Sequence, residues 1–530
     1  MAVTPNDDNA NRQIARSAGK VMLALLFSNL ANLASLILNA TTFGTSPEMD
    51  AFLAANRVSE TLFNLMAGGA LGSAFIPTFT GLLTKGEQKP AWKLASAIAN
   101  LILLVLILVA ALAAIFARPV VHYLLAPGFA GDPGQEALTV NLMRIMLPSA
   151  VIFGISGLVM GILNSHQVFF VPALTPAMYR LGMIFGVVFL SPSMGIYGLA
   201  WGVTIGACLH LLLQLPSLVR LRGTYVPTFG LKVPDVRQVA MLMAPRIFGA
   251  AVVQLNFWVN TNLASRMVEG SVTGINWGFT LMLFPQAIIA QSVATAALPT
   301  LSGQYALARL DDLRNSLATS LRGILLLAIP ASIGMILLRQ PIIALMLQYG
   351  RFTAESTQLI SWALLWFSAG LVGHCVVEIL ARAFYAMHDT KTPVLVGAVA
   401  MALNIAFSLL FSGWFRSIGW LPLGGLALAN SLATGLEAAA LWVFMRHRLG
   451  GLEGQRVLKG TGQAVLAAII MVLVLLGWLG LTQDRQAWLV GLGGVLVGGI
   501  AYGAVVLVMK VPEVQSVLNL LRRRFKPALK

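Results

Sequence analysis

FIPTFTG, residues 75–81, closes one apolar run of the chain, and ALPTLSG, residues 297–303, closes another 222 positions later. The same offset carries His166, in LNSHQ, to His388, in YAMHDTKTP. A looser match sets Pro127-Gly128-Phe129 against Tyr349-Gly350-Arg351-Phe352. Three matches in one register point to an internal duplication. Each copy spans six apolar runs, an even number, so the two are parallel repeats. Chains of this kind place a substrate site where the halves meet; duplication kept only for packing is the plainer alternative.

Composition sets the class. Of 530 residues, 58% are hydrophobic and 10% charged, and the mean hydropathy is +0.83. Soluble domains carry about 25% charged residues. Runs long enough to cross a bilayer recur from end to end. The expected fold is an all-α polytopic membrane protein with about fourteen helices. They fall near 21–40, 59–83, 92–116, 142–163, 172–190, 198–219, 239–265, 272–298, 316–337, 357–383, 393–411, 423–444, 463–481 and 488–508. The organisation read from them is a cytoplasmic tail (1–20), an N-lobe (21–222), a C-lobe (235–448), two extra helices (460–510) and a basic cytoplasmic tail (511–530).

The net charge of +16 does not indicate nucleic acid, because the basic residues punctuate apolar runs as headgroup anchors and topology signals do. With the N-terminus inside, about 25 basic residues fall on the cytoplasmic side and about 7 outside. Both termini are therefore expected in the cytoplasm. The polar first twenty residues show no early apolar core, so no cleaved leader is expected. Cys208 and Cys375 lie inside apolar runs and read as small core residues.

Scarce polar residues gather on helical faces. Ser28, Asn32, Ser35 and Asn39 share one face of the first run, flanked by Asn29. Asp50, Arg57 and Asn64 recur every seven residues in DAFLAANRVSETLFNLMAGGALGSAF, residues 50–75. Asn256 and Asn260 are an i, i+4 pair, with Arg246 earlier on the same helix. Polar groups at this depth are costly unless they meet each other or a wet cavity. Isolated Asn and Ser fit helix–helix hydrogen bonds of about 1 kcal/mol or less, whereas Arg57 and Arg246 point to a cavity. Asp50 also suits a helix start. His374 and Glu378 share a face and form a candidate proton-sensitive pair, an internal hydrogen bond being the alternative. Arg180, His210 and Glu437 are further ionisable groups within spans.

No phosphate-binding G-x-x-x-x-G-K-[ST] loop, H-E-x-x-H helix or Cys/His cluster with zinc spacing is present in the sequence. No enzyme, metal or cofactor is expected, and active transport would draw on membrane potential or an ion gradient.

The ordered segments DAFLAANRV (50–58), GALGSAFIPTF (69–79), APGF (126–129), LVMGILNSHQVFFVPALTP (158–176), GLAWGVTIGACLHLLLQLPSL (198–218), LPTLS (298–302), QYGRFT (348–353) and FYAMHDTKTPV (384–394) resemble the MurJ/MviN flippases. These belong to the multidrug/oligosaccharidyl-lipid/polysaccharide exporter superfamily. The resemblance covers nearly all of the first twelve spans. It implies a fourteen-helix, two-lobed transporter in the bacterial inner membrane. Its cargo would be lipid II, an undecaprenyl-pyrophosphate disaccharide-peptide, moved from the inner to the outer leaflet by alternating access. It implies a groove for the lipid tail in the last two helices and a cavity where cations hold the pyrophosphate.

Against that pattern the chain is divergent. Asn29 and Ser35 stand at the family's first-span arginine positions, Phe63 and Asn64 in the second span, and Thr280 in the eighth. Gly68 replaces an acidic residue, while Asp50 is retained and Arg57 falls where a basic residue is common. Arg180 and Arg246 are basic where the family is not. A sodium site of some members, Asn followed one turn later by Asp, corresponds here to Asn404 and Ser408.

The resulting candidate cavity is Asn29, Asn32, Ser35, Asn39, Asp50, Arg57, Asn64, Arg246, Asn256 and Asn260, with His374, Glu378 and Asn404 for coupling. Expected partners are a lipid-linked glycan, membrane lipids and cell-wall synthesis proteins, with the chain a monomer. The alternatives are a flippase for another lipid-linked polysaccharide and a non-transporting scaffold paralogue in cell-wall synthesis.

Overall fold

The structure, a computed structural model, describes residues 5–66, 70–483 and 485–515, with side chains described from Val21 onward except at 66, 70 and 73. Gly68 and most of the basic tail therefore lie outside the described residues. No strand is present among the described residues. In hydrocarbon an unpaired backbone polar group costs several kcal/mol, and an α-helix pairs its own.

Contacts divide the chain into two compact units. The first is Met1–Val272 with Tyr349–Phe352, and the second is Thr273–Gln348 with Thr353–Lys530. The first contains α1 (Pro5–Phe43), α2 (Pro47–Met66), α3 (Ala70–Thr84), α4 (Gln88–Ile115), α5 (Pro133–Ser165), α6 (Phe170–Phe185), α7 (Ile196–Leu212) and α8 (Pro234–Ser265). The second is built from α9 (Ser271–Gln286, its first two residues in the first unit), α10 (Ser292–Ala306), α11 (Leu310–Leu347) and α12 (Ala354–Ala369). It continues with α13 (Leu371–Ala386), α14 (Lys391–Ser417), α15 (Leu423–Leu449), α16 (Gly454–Leu481) and α17 (Ala487–Val508).

Among the described residues twelve helices are long and apolar enough to span a membrane, thirteen if α12 and α13 count as one. The other expected span falls on α2 and α3, on either side of residues 67–69. α2 starts at Pro47 rather than near 59, because Glu48 and Asp50 suit a first helical turn. α12 and α13 bend by 47° at Gly370, where a Cβ would lie 2.4 Å from Ser431 Oγ. Ser332 Oγ donates to Ser368 O and Ser431 Oγ to Trp366 O, both at 2.6 Å. Side-chain hydroxyls thus engage carbonyls beside the kink.

The repeat has physical counterparts. Val168 N donates to Leu163 O and Asp389 N to Phe384 O, each at 2.9 Å, after left-handed Gln167 and His388. These are the same helix stop, 221 rather than 222 positions apart, so the register slips by one there. Gly198 would place a Cβ 2.4 Å from Ser191 N, and Gly425 one 2.7 Å from Ser412 N, so α7 and α15 make the same crossing. Gly128 abuts the Ser265 carbonyl as Gly350 abuts that of Thr41.

Two features depart from sequence arithmetic. α8 begins the second repeat by offset, yet Val236, Val239 and Met243 join the core formed by α3 and α4, so it packs in the first unit. In the second unit α16 and α17 pack on α11 through Ala464, Ala467, Met471 and Val506. Tyr502 Oη donates to Leu326 O at 2.6 Å, and Arg322 pairs with Glu513 at 3.0 Å.

Candidate functional site

A polar cavity of about 370 Å³ lies inside the first unit, walled by five helices. α1 offers Ser28, Asn29 and Asn32; α2 offers Asn56, Ser59, Glu60, Phe63 and Asn64. α5 adds Ser149 and Phe153, α6 adds Pro176, Tyr179 and Arg180, and α7 adds His210. The α2 residues recur at i, i+3/i+4 and i+7/i+8, one helical face. Ser28 Oγ donates to Ala24 O of its own helix at 2.9 Å and lies 3.3 Å from Ala173 O, where α1 meets α6.

Charge is arranged in a short chain. Arg57 turns off the cavity face of α2; its guanidinium lies 5.0 Å from the Phe257 ring centre and pairs with Glu60 at 3.0 Å. Asn56 Nδ2 donates to Glu60 Oε1 at 2.9 Å. Glu60 therefore reaches the cavity as a carboxylate fixed by two donors, with 43% of its side chain exposed. Arg180 sits 5.2 Å from the Tyr179 ring centre and approaches Met183 Sδ at 3.6 Å. It has no carboxylate partner among the described residues.

One wall is aromatic. Phe153 contacts Phe63 at 4.8 Å, Tyr179 at 5.1 Å and His210 at 5.3 Å between ring centres. Gln214 Nε2 donates to Ser156 Oγ and Ser156 Oγ meets His210 Nδ1, each at 2.6 Å. Since Gln214 donates, the Ser156 hydroxyl can donate onward to His210 and fix the ring's orientation.

Several polar groups on the walls lack protein partners. Asn56 Oδ1 and Ser59 Oγ are buried and make no hydrogen bond among the described residues. Asn29, Asn32 and Asn64 likewise show none. The asparagine amides are therefore the wall groups open to a polar occupant, the two buried oxygens having no accessible surface of their own.

The structure thus brings Asn29, Asn32 and Asn64 together with Arg180. Other candidates lie elsewhere. Ser35 and Asn39 are buried farther along α1, outside the cavity lining. Asp50 is buried and accepts from Gly270 N at 2.9 Å, fastening the turn before α9. Arg246 is exposed on α8, eleven residues or about 16 Å of helix from Phe257, which Arg57 meets. Asn260 Nδ2 donates to Asn256 Oδ1 at 3.2 Å.

In the second unit His374 Nε2 meets Asn430 Oδ1 at 3.0 Å, whereas Glu378 pairs with Arg382 at 2.6 Å. The two do not bond to each other. Asn404 is buried and accepts from Ser408 Oγ at 3.2 Å. No cluster of three or more His, Cys, Asp or Glu placed for a metal occurs among the described residues. Asn56, Ser59, Ser149, Phe153 and Tyr179 were missed because three separate helices contribute them. Only Glu60, three residues from Arg57, carried a local signal.

Comparison with known proteins gives concordant results. The family model described as lipid II flippase MurJ matches residues 39–496. A lipid II flippase MurJ of Burkholderia cenocepacia is 31% identical over 434 residues, covering 80% of this chain and 82% of that one. The solved structure of a lipid II flippase MurJ in an inward closed conformation superposes with TM-score 0.78 at 24% identity, over 92% of this chain and 98% of that one. An inward-facing multidrug resistance MATE family transporter of the MOP superfamily gives 0.67 at 16% identity, over 81% and 96%.

Proposed function

The chain belongs to the MurJ family of lipid II flippases, and from that premise we propose that it carries lipid II across the membrane. The match over residues 39–496 carries the proposal. The direction is inner to outer leaflet, by alternating access, in a bacterial inner membrane with both termini in the cytoplasm. The chain is a transporter rather than an enzyme, driven by membrane potential or an ion gradient.

The cavity supports this reading physically. A charged, hydroxylated headgroup cannot enter hydrocarbon bare, since an unpaired polar group there costs several kcal/mol. The walls of the first unit offer three asparagines without protein partners and a fixed carboxylate. Arg57 is committed to Glu60, so Arg180 is the cation offered to the headgroup's anionic groups. The polyprenyl tail stays in lipid.

Complementation tests the reading. A bacterial strain depleted of its own lipid II flippase regains growth when this chain is expressed. Failure to rescue at normal membrane abundance, with no lipid II binding by the purified protein, would overturn it.

A further inference from the structure

We infer that the cavity of the first unit is a subsite for a single sugar ring, the terminal hexopyranose of the carried headgroup. The inference rests on the lipid II reading and specifies which part of the headgroup this site takes.

Size sets the scale. At ~30 Å³ per water, 370 Å³ is about a dozen waters, far too much for one ion. It lies near the lower bound of ligand pockets, ~300–1,000 Å³, so a disaccharide-peptide cannot enter whole. A terminal residue, attached at one point, can enter while the rest of the headgroup stays outside.

Chemistry narrows the occupant further. Asn32 and Asn64 each present an amide that both donates and accepts, and neither has a protein partner among the described residues. Glu60 is held as an acceptor by Asn56 and Arg57. Ring hydroxyls complement all of these. Phe63 and Phe153, 4.8 Å apart, offer apolar surface for the C–H face of a pyranose. A hydrocarbon chain would leave the asparagine amides unsatisfied. A phosphate group could pair with Arg180, but it would face the Glu60 carboxylate and offer the asparagine carbonyls no donor, whereas ring hydroxyls serve donors and acceptors alike.

The test compares purified full-length protein in lipid nanodiscs for binding of lipid II and of the same carrier lacking its terminal sugar. Wild type should bind lipid II at least tenfold more tightly. Asn32→Ala/Asn64→Ala should abolish that difference by weakening lipid II alone, since two lost hydrogen bonds amount to about tenfold. Asn64→Trp, which fills the cavity from a half-buried position, should do the same and guards against a single misfolded variant.

Equal wild-type affinity for both carriers would overturn the subsite while leaving the flippase reading intact. So would variants that weaken both carriers equally, or that leave the difference unchanged. If neither carrier binds and complementation fails, the lipid II reading falls and the subsite falls with it.

Discussion

The same niche occurs in both units and is finished differently. In the first, α6 and α7 form its back wall and α1 lies across it, with Ser28 on Ala173. In the second, the corresponding walls are α14 and α15. They hold a groove of about 920 Å³ lined by Leu395, Val399, Leu403 and Phe444. Glu437 is a carboxyl among these apolar residues. GLA at 198–200 and at 425–427 gives the α7/α15 offset as 227, which sets His210 opposite Glu437. Helix starts at Phe170 and Lys391 give 221 for α6/α14, setting Tyr179 and Arg180 opposite Ala400 and Met401. Polar recognition is concentrated in one copy, while the other keeps a largely apolar groove whose lining also includes Thr392, His447 and Arg448. Duplication supplied two scaffolds, and side-chain chemistry separated their roles.

Beyond the crossing the two units share, glycine contact differs along these helices and predicts the largest effect on stability. Gly182 and Gly186 meet Gly202 and Gly206 backbone to backbone, and a Cβ on Gly182 would lie 2.2 Å from Gly206 Cα. Gly182→Ala forces α6 off α7, at about 1–3 kcal/mol or more, and should sharply lower the melting temperature in detergent. In α15 of the second unit, Gly435 has no atom within 4 Å of a built Cβ. Gly435→Ala should leave stability unchanged or raise it by about 0.5 kcal/mol. Equal losses from the two substitutions would refute the contrast.

Arg57 is next. Its side chain is 10% exposed, and removing one partner of a buried pair costs about 3–5 kcal/mol. Because Glu60 is 43% exposed, solvent screens the charge left behind, and Arg57→Ala should cost about 1–2 kcal/mol. Arg246→Ala, at an exposed site, should cost less than about 0.5 kcal/mol. The difference is readable from thermal unfolding of the two variants side by side.

The smallest effect depends on pH. Asp389, in the turn before α14, feels burial pushing its pKa up. Hydrogen bonds from Thr392 and Lys391 and the Arg448 charge outweigh that and hold it below the usual carboxylate value. A lowered folded-state pKa stabilises above the unfolded value and is lost as pH falls through the folded one. The small destabilisation by Arg448→Ala should therefore be present at pH 7 and fade below about pH 4. Val168, the counterpart of Asp389 in this turn of the first unit, carries no charge, so Val168→Ala should show no such dependence.

Periodicity exposed most of the architecture, because apolar runs and a 222-residue echo are local or arithmetic signals. It placed Asn29, Asn32 and Asn64 on usable faces for the same reason. The remainder depended on tertiary register. Tyr179 and Phe153 come from different helices, and His374 finds Asn430 fifty-six residues away. Arg57 and Arg246 looked equivalent as scarce intramembrane cations, yet Glu60 at i+3 engages the first and the second is exposed. The bend at Gly370 turns on a close approach to Ser431, which the run of apolar residues around it conceals.

The most direct test measures the rate at which lipid II reaches the outer leaflet in cells where this chain is the sole flippase. Wild type should sustain that flux. Arg180→Ala should slow it about tenfold at equal abundance, the loss of one charge-assisted contact of about 1.4 kcal/mol. No flux from wild type, or wild-type flux from Arg180→Ala, would contradict the assignment of headgroup recognition to the first unit.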